Sequence, residues 1–218
     1  MNKTIKKWIT THDNHKVSFV HVARPEKEII CFPSQIGCGV RCSFCISSTQ
    51  PFIRSLTTRE MLLGIEMFNI PRNKTVLYSC MGQGEPFENL QCVIDCFVEL
   101  DGNYALSTAR PTRPGVKLLN DYPNLNIKVQ ASFSAGYILA SLRRYSGPKE
   151  VNVILIEGAD ISGAIGLAGF IGADNVKLTT FNNWNGCTVK PMKMNIEMYT
   201  TDGIDLGASC GQQNYLKE

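Results

Sequence analysis

Six short apolar runs punctuate this chain: Glu28 to Phe32, Thr75 to Cys80, Asn103 to Thr108, Asn126 to Ser132, Val151 to Glu157 and Asn175 to Thr180. Helix-like stretches fall between them, at Thr57 to Asn69, Leu90 to Leu100, Tyr137 to Tyr145 and Ser162 to Ile171, with a shorter helix after Pro114. Strands that alternate with helices in this way build a parallel sheet, because each helix carries the chain back to start the next strand in the same direction. Thr57-Thr58-Arg59-Glu60 supplies a capping-box start for the first helix. The units are compact, so the expected fold is α/β, an open six-stranded (β/α)6 partial barrel. A strand pair, Ile5 to Thr10 and Lys16 to Ala23 with a turn at Asp13-Asn14, is expected to precede it. The division is then 1–27 as an N-terminal β extension and 28–218 as the barrel. Chemistry in such folds lies at the carboxyl ends of the strands.

The first apolar run leads at that end into Gly37-Cys38-Gly39-Val40-Arg41-Cys42-Ser43-Phe44-Cys45, with the spacing C-x3-C-x2-C. Three thiolates on one short loop can hold three corners of a [4Fe–4S] cube. With no fourth cysteine close behind, one iron stays open for a small ligand, as suits a reactive cluster better than an electron carrier. Zinc is the alternative. Zinc sites usually take two cysteine knuckles, or a cysteine pair followed by a histidine pair. All three histidines, His12, His15 and His21, precede the cysteine loop. A buried structural role is the third reading, since free cysteine behaves as a small hydrophobe.

Nine cysteines in 218 residues form no even disulfide framework, and the opening MNKTIKKWITTHDN does not read as a signal peptide. No apolar run approaches the roughly 20 residues a membrane helix needs. A reducing, cytoplasmic setting is expected, with no membrane partner and a monomeric chain. The formal net charge of +3 permits nucleic-acid binding without arguing for it.

The C-x3-C-x2-C spacing is the signature pattern of radical S-adenosylmethionine (SAM) enzymes, and the flanking residues narrow it. Cys31-Phe32-Pro33-Ser34-Gln35-Ile36-Gly37-Cys38, with Cys42 and Cys45, resembles the C-x-S-S-Q-x-G-C-x-x-x-C-x-F-C segment of the RlmN/Cfr methyltransferases. Met81-Gly82-Gln83-Gly84-Glu85-Pro86 resembles that family's M-G-M-G-E-P. Leu106-Ser107-Thr108 resembles its S-T-S-G strand end, Ala131-Ser132-Phe133-Ser134 its S-L-H-A, and Leu155-Ile156-Glu157-Gly158 its L-I-D-G. The stretch ending Phe181-Asn182-Asn183-Trp184 resembles F-N-P-W, and Asp205 to Gln212 resembles D-A-A-C-G-Q. The departures are an N-terminal helical domain with no counterpart here, Ser134 in place of the family's His, and Ala109-Arg110 in place of its Gly.

The resemblance implies a partial barrel of the radical SAM type that methylates an aromatic carbon, C2 or C8, of an adenine in RNA. Cys38, Cys42 and Cys45 would bind a [4Fe–4S] cluster. Gly84, Glu85, Pro86, Ser107, Ser132 and Asn182 would contact SAM. Cys210 would carry the methyl group, and Cys31 would release the product by proton abstraction and disulfide formation with Cys210. RNA is the implied partner, with an electron donor such as flavodoxin or ferredoxin. Two alternatives stay open: an enzyme on the same scaffold acting on a smaller nucleotide or short RNA, and a non-catalytic Fe–S or zinc module.

Overall fold

The computed structural model describes residues 3–70, 74–184 and 186–192. Ten strands and four α-helices follow in the order β1 (Lys3–Thr10), β2 (Lys16–Ala23), β3 (Glu28–Cys31), β4 (Gln35–Ile36), β5 (Arg54–Ser55), α1 (Thr58–Glu66), β6 (Val76–Cys80), α2 (Leu90–Val98), β7 (Asn103–Thr108), α3 (Arg113–Asn120), β8 (Lys128–Ser132), β9 (Lys149–Leu155), α4 (Ile161–Ile171) and β10 (Asn175–Thr180). Eight strands share one sheet in the order β1-β2-β3-β6-β7-β8-β9-β10, and β4 and β5 pair separately. The six strands from β3 to β10 in that sheet run parallel. They are the six apolar runs of the sequence: β7 and β10 match their runs, β3, β6 and β8 are shorter by one or two residues, and β9 starts and ends two residues earlier than expected. The expected open six-stranded parallel array is therefore present, and β1 and β10 are the edges of the whole eight-stranded sheet. The hairpin β1–β2 continues the same sheet antiparallel to β3. Its turn is closed by Asn14 at φ 65, a left-handed conformation that asparagine tolerates better than most residues.

The helices cover one face of the sheet. Ile30, Tyr78, Leu106, Val129 and Val151 from the strands, with Phe32 just after β3, pack there with the apolar stripes of α1 to α4. Alternate strand residues point to the opposite face, which is the period of a pleated strand. That face is polar toward β10: Lys128 and Gln130 donate to the Glu150 carboxylate at 2.8 and 3.2 Å, and Thr179 donates to Asn152 at 2.6 Å.

One expected element differs. The span Tyr137 to Tyr145 holds no α-helix; a 3-10 turn covers Ala140–Arg144. Leu139, Leu142 and Tyr145 are all buried. Their spacing of three fits a three-residue turn as well as the i, i+3 row of an α-helix, so packing and not spacing selects the 3-10 form here. No helix among the described residues is long and apolar enough to cross a membrane.

One ion-pair knot ties the elements around the cysteine loop. Arg54 on β5 donates two bonds to Asp13 in the β1–β2 turn, at 2.8 and 2.7 Å, and two to Glu60, at 2.9 and 2.7 Å. Glu60 also completes the capping box of α1, accepting from the Thr57 N–H at 2.9 Å. The guanidinium holds the Glu60 carboxyl down at about 2. A carboxyl depressed in the folded state contributes stability above its ordinary pKa and loses it as pH falls to the depressed value. Urea denaturation is expected to show stability falling between about pH 4.5 and about pH 2. Arg54→Gln should flatten most of that slope; an unchanged slope would mean other carboxylates dominate acid unfolding.

Candidate active site

The cysteine loop is pinned at both ends. Its base is the β4–β5 pair, with Ile36 opposite Arg54. Gly37 has φ 75, and a Cβ there would lie 1.9 Å from the Pro51 carbonyl oxygen, so only glycine fits the entry to the loop. Within it the Cys45 N–H donates to the Cys42 carbonyl at 3.0 Å. Cys38, Cys42 and Cys45 are all half-buried and line one cleft. Burial pushes the Cys38 thiol up, and burial with repulsion from Cys45, Cys38 and Glu85 pushes Cys42 up to about 12. Three thiols that oppose each other's ionisation suit a shared cationic centre, which would supply the missing positive charge. The donor set therefore fits an iron–sulfur cluster with three protein ligands.

The glycine-rich loop after β6 forms the facing wall. It is sewn to the β3–β4 segment: Gly82 N–H donates to the Phe32 carbonyl at 3.0 Å and Glu85 N–H to Gln35 Oε1 at 2.9 Å. Gly84, at φ 104, lies where a Cβ would sit 2.6 Å from Gln35 Cβ. The Glu85 side chain turns away from solvent, at 3% exposure. Its Oε1 accepts from the Thr108 hydroxyl at 2.6 Å and the Phe87 N–H at 3.1 Å, and its Oε2 from the Ala109 N–H at 2.9 Å. Burial raises its pKa while these hydrogen bonds oppose the rise. Glu85 thus ties the loop to the end of β7 as well as lining the cleft.

Ser107 and Ser132, at the ends of β7 and β8, also line this cleft, which encloses about 730 Å³ including its open mouth. Pro86 is buried at the start of the 3-10 turn Pro86–Glu88, where its fixed φ shapes the loop; it does not line the cleft. Asn182 is buried beyond the end of β10, also off the cleft wall. Its neighbours nevertheless reach the cysteine loop: Trp184 Nε1 donates to the Phe44 carbonyl at 3.2 Å, and Cys187 Sγ approaches the Ser43 carbonyl at 3.9 Å. Cys31 ends β3 and packs with Val20 and Val22, on the face opposite the helices; it too lies off the cleft wall. Cys210 lies outside the described residues. Ser134, where the family has His, exchanges hydrogen bonds with the Ile154 backbone at 2.7 and 3.2 Å. Its hydroxyl is used in holding two strand ends together.

Sequence reasoning missed Asn152 and Arg41, which both line the cleft. Asn152 pairs across from Ser132 and faces the same way. A lone Asn within Val151 to Leu155, in register with a proposed site serine, is the signal that identifies it. Arg41 adopts φ 56, a left-handed conformation at a residue that is not glycine.

No family model matches the chain. Among curated proteins, it is 36% identical over 129 residues to the dual-specificity RNA methyltransferase RlmN of Aliarcobacter butzleri, covering 50% of this chain and 36% of that protein. It is 33% identical over 114 residues to the RlmN of Buchnera aphidicola, covering 49% of this chain and 31% of that protein. The matched region thus spans about a third of those relatives' length. A crystal structure of a radical SAM methyltransferase from Sphaerobacter thermophilus superposes with a TM-score of 0.78 at 22% identity, over 96% of this chain and 77% of that one. SuiB of Streptococcus suis, solved with SAM bound, superposes with a TM-score of 0.56 at 14% identity, over 79% of this chain and 44% of that one. The chain therefore has the partial-barrel fold of a radical SAM methyltransferase and is similar in sequence to the RlmN RNA methyltransferases.

Proposed function

We propose that this chain is a radical SAM methyltransferase acting on an aromatic carbon, C2 or C8, of an adenine in RNA. The observation that carries the reading is the convergence of Cys38, Cys42 and Cys45 with Gly84, Glu85, Ser107 and Ser132 on one cleft at the carboxyl ends of parallel strands. Cys38, Cys42 and Cys45 would hold a [4Fe–4S] cluster, leaving one iron for SAM. Bound together, cluster and SAM supply a one-electron cleavage able to remove hydrogen from an unactivated carbon. The electrons would come from a flavodoxin or ferredoxin.

The remaining roles belong to the chain itself. Ser107 and Ser132 offer hydroxyls at the cleft wall for SAM's polar groups, and Gly84 leaves room for close backbone approach. Pro86 acts by shaping that loop, and Asn182 by supporting the segment that covers the cysteine loop. Cys210 would carry the methyl group as a thioether, which solves a chemical problem: an adenine sp2 carbon is a poor nucleophile for direct methyl transfer. Cys31 would take the proton leaving that carbon once the adduct radical has given up one electron, pass the proton on, and attack the Cys210 sulfur, so that the S–S bond forms, the S–CH2 bond breaks with its electron pair going to the transferred carbon, and that carbon is protonated to methyl. Met192 donates to the Leu155 carbonyl at 3.0 Å, so the chain runs past the active end of β9 before the segment that bears Cys210. In this division residues 1–27 widen the sheet and residues 28–218 carry the chemistry, in the cytoplasm.

The test is direct. The reconstituted protein, given reductant, SAM and RNA from cells lacking this gene, is expected to produce methylated adenosine on nucleoside mass analysis. Cys210→Ala should yield none. Cys31→Ala should accumulate a nuclease-sensitive protein–RNA crosslink. Normal turnover by either variant would contradict the methyl-cysteine route.

A further inference from the structure

A second cavity, of about 700 Å³ including its open mouth, lies at the carboxyl ends of β8 and β9. Phe133, Tyr137 and Ile156 supply its apolar lining, and Glu157 and Asp160 its acidic rim. The cysteine chemistry makes no use of it, yet it adjoins the cysteine cleft. Tyr137 is the link: its hydroxyl donates at 2.9 Å to the carbonyl of Val40, which lines that cleft.

Tyr137 is held at its hydroxyl end while the residue stays 41% exposed. The Arg110 guanidinium sits 5.5 Å from the ring centroid and is itself fixed by Glu88 at 3.0 Å. A clamped aromatic ring, backed by a cation and lining a cavity, is a stacking surface for another π-face. The cavity wall beside it is rigid, because Ser134 is bonded to Ile154 in both directions. At the rim, Asp160 Oδ1 is occupied in capping α4, accepting from Gly163 N–H at 2.8 Å. The exposed Glu157 carboxylate has no partner among the described residues.

These features select a ligand class. A purely apolar ligand has no use for Glu157. A phosphate would be repelled by two carboxylates. A flat heteroaromatic ring bearing N–H donors satisfies both the ring and the carboxylate, and its phosphates can lie toward Arg110 and Arg41. Single-stranded RNA is read in this way, by stacking and by hydrogen bonds to base edges. We propose that this cavity takes an unstacked, amine-bearing nucleobase of the substrate strand, adjacent to the base that enters the cysteine cleft. Ala109-Arg110 stands in place of the family's glycine, so the pocket would set a sequence context particular to this chain. The inference rests on the RNA reading above.

The test uses short single-stranded RNAs with 2-aminopurine placed beside an adenosine, bound to the full chain. The fluorophore should be quenched on binding to the wild type. Tyr137→Leu should restore the fluorescence and weaken binding about tenfold, since base–aromatic stacking has that order of worth. Tyr137→Phe, which keeps the ring, should retain most of the affinity. Glu157→Gln alters an exposed, unpartnered side chain, so it remains informative if Tyr137→Leu fails to fold. It should narrow the preference for adenine over unsubstituted purine at that position. Val98→Ala, at the exposed end of α2, should change nothing. RNA that binds the wild type but is equally quenched by folded Tyr137→Leu, or an adenine preference unmoved in Glu157→Gln, would overturn the pocket and leave the RNA reading standing. A wild type that binds none of these RNAs at low salt would overturn both.

Discussion

Replacing Cys42 with alanine is expected to reduce bound iron and sulfide to background and to abolish SAM cleavage. The folded chain should survive. Loss of an outer partner of a metal ligand costs about 10–100-fold in affinity or activity, and loss of a ligand itself should cost more. Cys42 lines the cleft beside Cys38 and Cys45, and burial keeps its thiol protonated in the metal-free chain, so its replacement removes no charge there. The loop itself is held by other bonds: the β4–β5 pair, the Arg54 knot and the Tyr137 hydroxyl on Val40. Thermal unfolding of the metal-free variant should therefore match the metal-free wild type. A structural zinc site predicts instead that the metal-free wild type and Cys42→Ala both melt far below the metal-loaded wild type, because there the metal supplies the folding energy. Iron content and melting temperature of Cys42→Ala, measured together, separate the two.

Glu85→Ala should be the most destabilising single change near the cleft. It strands the Phe87 and Ala109 N–H groups and the Thr108 hydroxyl in a site where Glu85 is 3% exposed. Each buried polar group left without a partner costs about 1–3 kcal/mol, so three of them cost about 3–9 kcal/mol. That is a large part of the roughly 5–15 kcal/mol that holds an ordinary domain together. Glu85→Gln should fall between. Its amide oxygen keeps an acceptor for the Thr108 hydroxyl, but its NH2 must face a backbone donor. Urea denaturation of the metal-free chain reads both. A Glu85→Gln variant within about 0.5 kcal/mol of wild type would show that the carboxylate bonds do not hold the loop.

The same residue shows what sequence could and could not deliver. The six parallel strands were legible because a buried strand reads as a short apolar run bounded by turn residues. The cysteine loop was legible because ligand spacing is local. Glu85 was legible as a site residue, but its ties to Thr108 and Ala109 were not, because they cross 23 and 24 positions. The Arg54 knot was invisible for the same reason, with Asp13 lying 41 positions away. β4 and β5 are two residues each, too short to leave a periodic signal. The segment around Leu142 misled because apolar spacings of three and four overlap, and only packing decides between a 3-10 turn and an α-helix. Pro86 and Asn182 matched a motif by identity. In the fold they stand behind the cleft, not on its wall.

One measurement bears most directly on the central claim. The wild-type chain is purified, reconstituted anaerobically with iron and sulfide, and mixed with SAM and dithionite, and 5′-deoxyadenosine is quantified. A brown protein that binds iron and sulfide and forms 5′-deoxyadenosine is expected, with both lost in Cys42→Ala. A chain that takes up zinc in preference, stays colourless and leaves SAM intact would contradict it.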